Sequence, residues 1–159
     1  CAPNNHITCR SGYYYSAVTQ SCYKVVIAAV DWDTAHSQCL SDGGSLASVH
    51  SYYENNFLTN RCKTGLSVNK HLSIFIGLQI LNKDNCAHNR TSNFEWTDGT
   101  NVNYVNWAHG EPNNCGNEYW TAIMPDPIDK GYDPDGGEWN NVEKNKNRGF
   151  ICQLPLEKH

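Results

Sequence analysis

The side chains best suited to chemistry in this 159-residue chain lie between residues 107 and 142. They run Glu111-Pro112-Asn113, then Glu118, then an acidic stretch, then Trp139-Asn140-Asn141. Seven carboxylates fall there (Glu111, Glu118, Asp126, Asp129, Asp133, Asp135 and Glu138) against Lys130 and no arginine. Charge of one sign crowded so closely repels itself unless water or a cation compensates it. Glu and Asn carry hard oxygens, the donors that Ca²⁺ gathers about six to eight at a time. Proline, glycine and asparagine predict an irregular loop, and functional groups concentrate on loops held by a rigid scaffold. The plain alternative is a solvated acidic loop. The ordering of Glu-Pro-Asn, a later Glu and Trp-Asn-Asn speaks for a site.

A chain of this length suits one domain with a substantial core. Charged residues make up 18%, and the five tryptophans and nine tyrosines supply bulky apolar surface, so a folded chain is expected. The net charge of −4 gives no reason to expect nucleic acid or an anionic membrane as partner. No apolar run approaches the length of a membrane span, and no signal peptide is recognisable. Eight cysteines with no Cys-x-x-Cys pair point to disulfides rather than structural zinc, hence to an oxidising, extracellular compartment. A mature secreted protein is the expectation, and Asn89-Arg90-Thr91 is an N-glycosylation acceptor sequence in keeping with it.

The scaffold must come from the flanking elements. Residues 1–8 read as a loose terminus. Tyr13-Tyr14-Tyr15 and residues 21–26 suggest two short strands. Residues 31–40 predict a helix capped by Asp31 and stopped by Gly43-Gly44, with Trp32, Ala35, Cys39 and Leu40 inward and His36 on the surface. Leu46 to Val49 is a short strand or turn. Ser51 and Glu54 form a capping box for a second helix whose inward residues are Tyr53, Phe57 and Leu58. Residues 74–78 form a continuous apolar run and therefore a buried strand. Phe94 to Thr97 reads as a strand turning at Asp98-Gly99, and residues 119–124 and 149–154 as core strands.

With these residues in place, the chain resembles the C-type lectin domain, a calcium-dependent carbohydrate-recognition fold, from about Cys9 to Leu154. Glu111-Pro112-Asn113 is similar to that family's EPN motif, and Glu118 to the carboxylate that follows it. Trp139-Asn140-Asn141 stands where the family usually has Trp-Asn-Asp. The resemblance implies a single α+β domain over residues 1–159, with two helices, small antiparallel sheets and a long calcium- and sugar-binding loop. It implies Ca²⁺ held by Glu111, Asn113, Glu118, Asn140 and Asn141, and sugar hydroxyls met by Glu111, Asn113, Glu118 and Asn140. EPN implies mannose, glucose, N-acetylglucosamine or fucose as ligand, and a recognition or defence role. It also implies a disulfide between Cys9 and Cys22, and another between Cys39 and Cys152. The latter closes more than a hundred residues, worth ~4–5 kcal/mol by loop entropy.

Two departures matter. Where the family has a second core disulfide, this chain has Trp120 and, near the partner position, Lys144. Among the remaining cysteines, Cys86 with Cys115 is the expected loop brace. Cys62 is then left to Cys1, or Cys1 to another chain, which keeps a homo-oligomer open. Asn141 keeps an amide oxygen but removes a formal charge, so calcium affinity should fall without vanishing, because residues 126–135 hold further carboxylates. The rival reading is a protein- or surface-binding relative with weak or lost calcium and sugar binding. Trp107 or Tyr119 could stack on a sugar, although core packing is the expectation for both. Asp133-Pro134-Asp135-Gly136-Gly137 fails the EF-hand register, and no serine-hydrolase elbow or His-Glu-x-x-His sequence is present. Glu111 and Glu118 as a glycosidase pair fit poorly with a Pro/Gly-flanked loop, so no enzyme is expected.

Overall fold

The computed structural model describes residues 8–64, 72–81, 91–113, 116–127 and 136–156. Within them the strands are β1 (Tyr14–Ser16), β2 (Ser21–Val30), β3 (Ser45–Leu46), β4 (Ile74–Ile80), β5 (Phe94–Trp96), β6 (Trp120–Met124), β7 (Glu138–Val142) and β8 (Arg148–Pro155). Two helices, α1 (Trp32–Ser41) and α2 (Tyr52–Cys62), precede β4. The path through the sheet is β1-β2-β8-β4-β6-β7, with β3 added to β8 and β5 to β4. Pairing is antiparallel except between β4 and β8, where Phe75 meets Phe150 in parallel.

Alternation along the central strands sorts side chains into two cores. Ile74, Ile76, Leu78, Ile123 and Ile151 join Leu58 of α2, Trp96 and Trp139 in one. Phe75, Ala122, Phe150 and Cys152 join Trp32, Ala35 and Cys39 of α1 in the other. The apolar run at residues 74–78 is continuous because both faces of β4 are buried.

Helix α1 begins where the Asp31 carboxylate accepts the Thr34 amide at 2.7 Å. It ends in a Schellman arrangement. Gly43 takes φ +89°, its N–H reaches Leu40 O, and the Gly44 N–H reaches Cys39 O at 3.0 Å. Leu40 does not face the core as expected but is 54% exposed, because Trp32, Ala35 and Cys39 already fill the buried stripe. His36 corrects the surface expectation in the other direction. Its ring stacks on Trp32 at 5.0 Å with Nδ1 buried, and burial lowers its pKa against the charge of Asp33.

In α2 the Ser51 hydroxyl accepts the Glu54 amide at 3.2 Å, while the Glu54 carboxylate reaches back one residue further, to the His50 amide. The buried face is Asn55, Leu58, Thr59 and Cys62, and Tyr53 is 71% exposed instead of inward. Helical spacing favours that stripe because Trp139 offers Asn55 a partner. The Trp139 indole N–H donates to Asn55 Oδ1 at 2.8 Å, and Asn55 Nδ2 donates to Gly137 O at 2.9 Å.

Disulfides join Cys9 to Cys22 and Cys39 to Cys152. Cys62 is a free buried thiol pushed up to about 12 by burial and then by Asp126, which corrects its proposed bond to Cys1. Cys1, Cys86, Asn89 and Cys115 lie outside the described residues.

Candidate functional site

The site loop is hung on β7, a strand within the stretch whose proline, glycine and asparagine predict an irregular loop. Glu138–Val142 is a strand because β6 pairs with all five of its residues, from Trp120↔Val142 to Met124↔Glu138. Its other edge is closed by the incoming chain. The Trp139 amide donates to Asn106 O at 2.7 Å, and the Ala108 amide donates to Trp139 O at 2.9 Å. Trp139 itself is fully buried, with Trp96, Tyr104 and Trp107 edge-on to it at 5.8–5.9 Å. Trp107 also packs on Phe94 at 5.4 Å, so its ring belongs to the core wall. Tyr119 packs edge-on against Trp120, and its hydroxyl donates to Gly116 O.

From that wall the chain turns outward. The Glu111 amide donates to Ala108 O, the Glu111–Pro112 bond is cis, and Pro112 is buried. Asn113 emerges exposed, and its Nδ2 donates to Glu111 Oε1 at 2.8 Å. A carboxylate acceptor and an amide donor are thus paired at the protein surface.

Asn141 lies directly behind them with no exposed surface. Its Oδ1 accepts the Asn113 amide at 2.9 Å, and its Nδ2 donates both to Asn113 O at 2.5 Å and to Glu118 O at 2.9 Å. Strand alternation puts Asn140 on the opposite face of β7. The side-chain bonds described here join Glu111, Asn113 and Asn141, and Asn140 is in none of them. Glu118 enters through its backbone oxygen. It also lines a cleft with Glu143, Lys146, Asn147 and Arg148. Burial depresses the Arg148 pKa against the pull of Glu118 and Glu143.

Asp126 turns inward. It is 8% exposed and accepts from the Thr64 amide and hydroxyl, the latter at 2.7 Å, which fastens the end of α2 to the start of the acidic stretch. Asp129, Asp133 and Asp135 lie outside the described residues. Among the described residues no group of three or more His, Cys, Asp or Glu is gathered to hold a metal.

One polar cluster escaped the sequence reading. His50 Nε2 lies 3.1 Å from Ser48 Oγ and 3.0 Å from Thr100 Oγ1, and its Nδ1 lies 2.8 Å from Asn103 Oδ1. Both hydroxyls donate to Asp98 at 2.5 Å. The Ser48 proton is thus directed at Asp98 and not at the His50 ring. Ser48 is also only 2% exposed. The cluster ties the β5 turn to the start of α2 and is not a nucleophilic triad. Only the spacing of Ser48 and His50 hinted at it.

Comparison with known proteins places the chain. A model of the Lectin C-type domain matches residues 28–154, and the chain belongs to the C-type lectin domain family. C-type lectin 9a of Crotalus adamanteus is 29% identical over 153 residues, 94% of this chain and 83% of that protein. Among solved structures, the cow C-type carbohydrate-recognition domain of CD23, in the presence of GlcNAc2Man3 oligosaccharide, is 27% identical. It superposes with a TM-score of 0.71, covering 96% of this chain and 98% of that one. A calcium-independent type II antifreeze protein superposes at 0.73 with 21% identity over 97% and 99% of the two chains, a likeness of fold alone. The architecture is accordingly α+β of the C-type lectin fold.

Proposed function

We propose that this chain is an extracellular carbohydrate-binding protein that engages vicinal hydroxyls of a mannose-type sugar through the Glu111–Asn113 pair. The observation that carries the reading is the 2.8 Å contact between Asn113 Nδ2 and Glu111 Oε1 at the exposed tip of a braced turn. A sugar diol needs one acceptor for a hydroxyl proton and one donor for a hydroxyl oxygen; a carboxylate and an amide NH₂ side by side supply both. Because the two groups are already in register, little ordering cost remains for binding.

Calcium fits the donor chemistry. The carboxylates of Glu111 and Glu118 and the amide oxygen of Asn113 are hard donors carrying a formal charge of −2, and they would hold the ion; the family pattern would add Asn140 from the other face of β7. Bound there, Ca²⁺ would supply a Lewis-acid contact for hydroxyl oxygens. Asn141 braces the set from behind, its oxygen accepting the Asn113 amide, and brings no charge of its own. One carboxylate fewer than the family pattern supports weak calcium affinity. No catalytic role is proposed: the relatives are named as lectins, and Ser48 is 2% exposed with its hydroxyl donating to Asp98.

The test is binding to immobilised mannose, glucose, N-acetylglucosamine, fucose and galactose, in calcium and in chelator. Retention on the first four that disappears in chelator is expected. Binding to none of them in calcium overturns the reading in favour of a protein- or surface-binding role on the same fold.

A further inference from the structure

The family pattern places a carboxylate at position 141, and this chain has an amide. The exchange is usually counted as a lost charge, yet the hydrogen bonds show what the amide adds. A carboxylate can accept the Asn113 N–H but has no proton to give. Asn141 gives two, to Asn113 O and Glu118 O, while its oxygen takes the Asn113 N–H. All its bonds go to backbone on the two sides of the loop, residues 113 and 118, and the side chain has no exposed surface.

We propose that Asn141 is the positioning residue of this loop. Its side-chain amide ties residue 113 to residue 118, so that the Glu111–Asn113 pair stays assembled when no cation is present. The proposal rests on the reading of that pair as the binding site.

The argument turns on the two carbonyl oxygens. Buried carbonyls are paired in native structures, and leaving them facing a buried charge is costly. An aspartate here, at a position with no exposed surface, would set a negative oxygen against Asn113 O and Glu118 O. The loop would then open, unless a divalent cation drew the three oxygens together. Asparagine removes that requirement. The result is a loop ordered by the fold, on which calcium adds a ligand contact without having to build the site.

Amide hydrogen exchange at Asn113, compared with Ile123 in the core, tests this without any sugar. The wild type, Asn141→Asp and Asn141→Ala are measured in chelator and in calcium chloride alone. For the wild type, protection at Asn113 should already be high in chelator, and calcium should add only a small increment. Asn141→Asp should lose roughly ten- to hundredfold of it in chelator. Calcium should restore most of that loss. Asn141→Ala should lose protection that calcium restores less fully. Wild-type protection that depends on calcium as strongly as that of Asn141→Asp overturns the proposal. So does full protection in Asn141→Ala, which decides the matter even if Asn141→Asp fails to fold. Because no sugar enters, failure of carbohydrate binding is read separately.

Discussion

The Lys144 ammonium sits 5.6 Å over the Trp120 ring, at the two places where the resemblance put a second core disulfide. The same ammonium pairs with Asp33 at 2.8 Å, and the Lys144 backbone oxygen accepts the Trp32 amide. A cation–π contact with an ion pair therefore links β6, the β7–β8 turn and α1 where a covalent bond would otherwise lie. With Lys144 half exposed, the contact should contribute ~0.5–1 kcal/mol. Lys144→Met is expected to lower urea stability by that amount, and Lys144→Met in a Trp120→Leu background by clearly less. Equal losses in the two backgrounds would show that the ring contact contributes nothing.

His36 predicts a specific acid limb. Burial holds its folded-state pKa below the ordinary 6.5. The unfolded chain then takes up a proton before the folded one, so this contribution is complete above the unfolded value and is lost as pH falls through it toward the folded value. His36→Phe keeps a ring on Trp32 and cannot titrate. Its Tm should fall less than that of the wild type between about pH 7 and about pH 5. Parallel melting curves across that range would exclude His36 as the source.

The Asn55 node should be the most sensitive single polar position in the core. Truncation to alanine strands the Trp139 indole N–H, and Gly137 O keeps only the Asn106 amide at 2.8 Å. A buried group left unpaired costs about 1–3 kcal/mol, so Asn55→Ala should lose about 2–4 kcal/mol with its small cavity included. Gly137→Ala should be comparably damaging. At φ +94° a Cβ is strained, and it would come within 2.5 Å of Thr59 Oγ1. Chemical denaturation measures both, and a loss under about 1 kcal/mol in either would mean that this corner relaxes freely.

Glu111→Gln separates binding from folding. It keeps the shape and one oxygen but removes the charge, so sugar binding in calcium should weaken roughly tenfold or more. Its melting temperature in chelator should stay close to that of the wild type, because the carboxylate bonds the surface amide of Asn113. His109→Ala, on the exposed turn before Glu111, serves as the control and should bind normally.

Much of this was legible in the residues. The apolar run of β4, the Asp31 and Ser51 caps and the Gly43 stop are local signals, and they named their elements directly. What failed was whatever depended on a distant partner. Asn55 is absent from the inward residues expected of α2 because its polarity is satisfied by distant partners, Trp139 and Gly137, 84 and 82 positions away. Leu40 and Tyr53 looked buried because helical periodicity does not say which of two adjoining stripes meets the sheet. β7 was hidden because Glu, Asn and Asn have poor strand propensity, and β6 supplies the pairing that overrides it. In the site, Glu111 and Asn113 could be read from their spacing, whereas the bonds of Asn141 to residues 113 and 118 appear only once the chain is folded.

The position of β8 decides when this protein can fold. Arg148–Pro155 lies between β2 and β4 and pairs with β3 as well, yet it is made after all three. Until the ribosome releases it, β2 and β4 have no strand between them, the apolar rows of Ile74 and Phe75 lack their cover, and Cys39 has no Cys152 to oxidise with. Completion of the sheet thus waits until residues 148–155 have been made, and a nascent chain stalled short of residue 148 presents open strand edges to chaperones and to other chains.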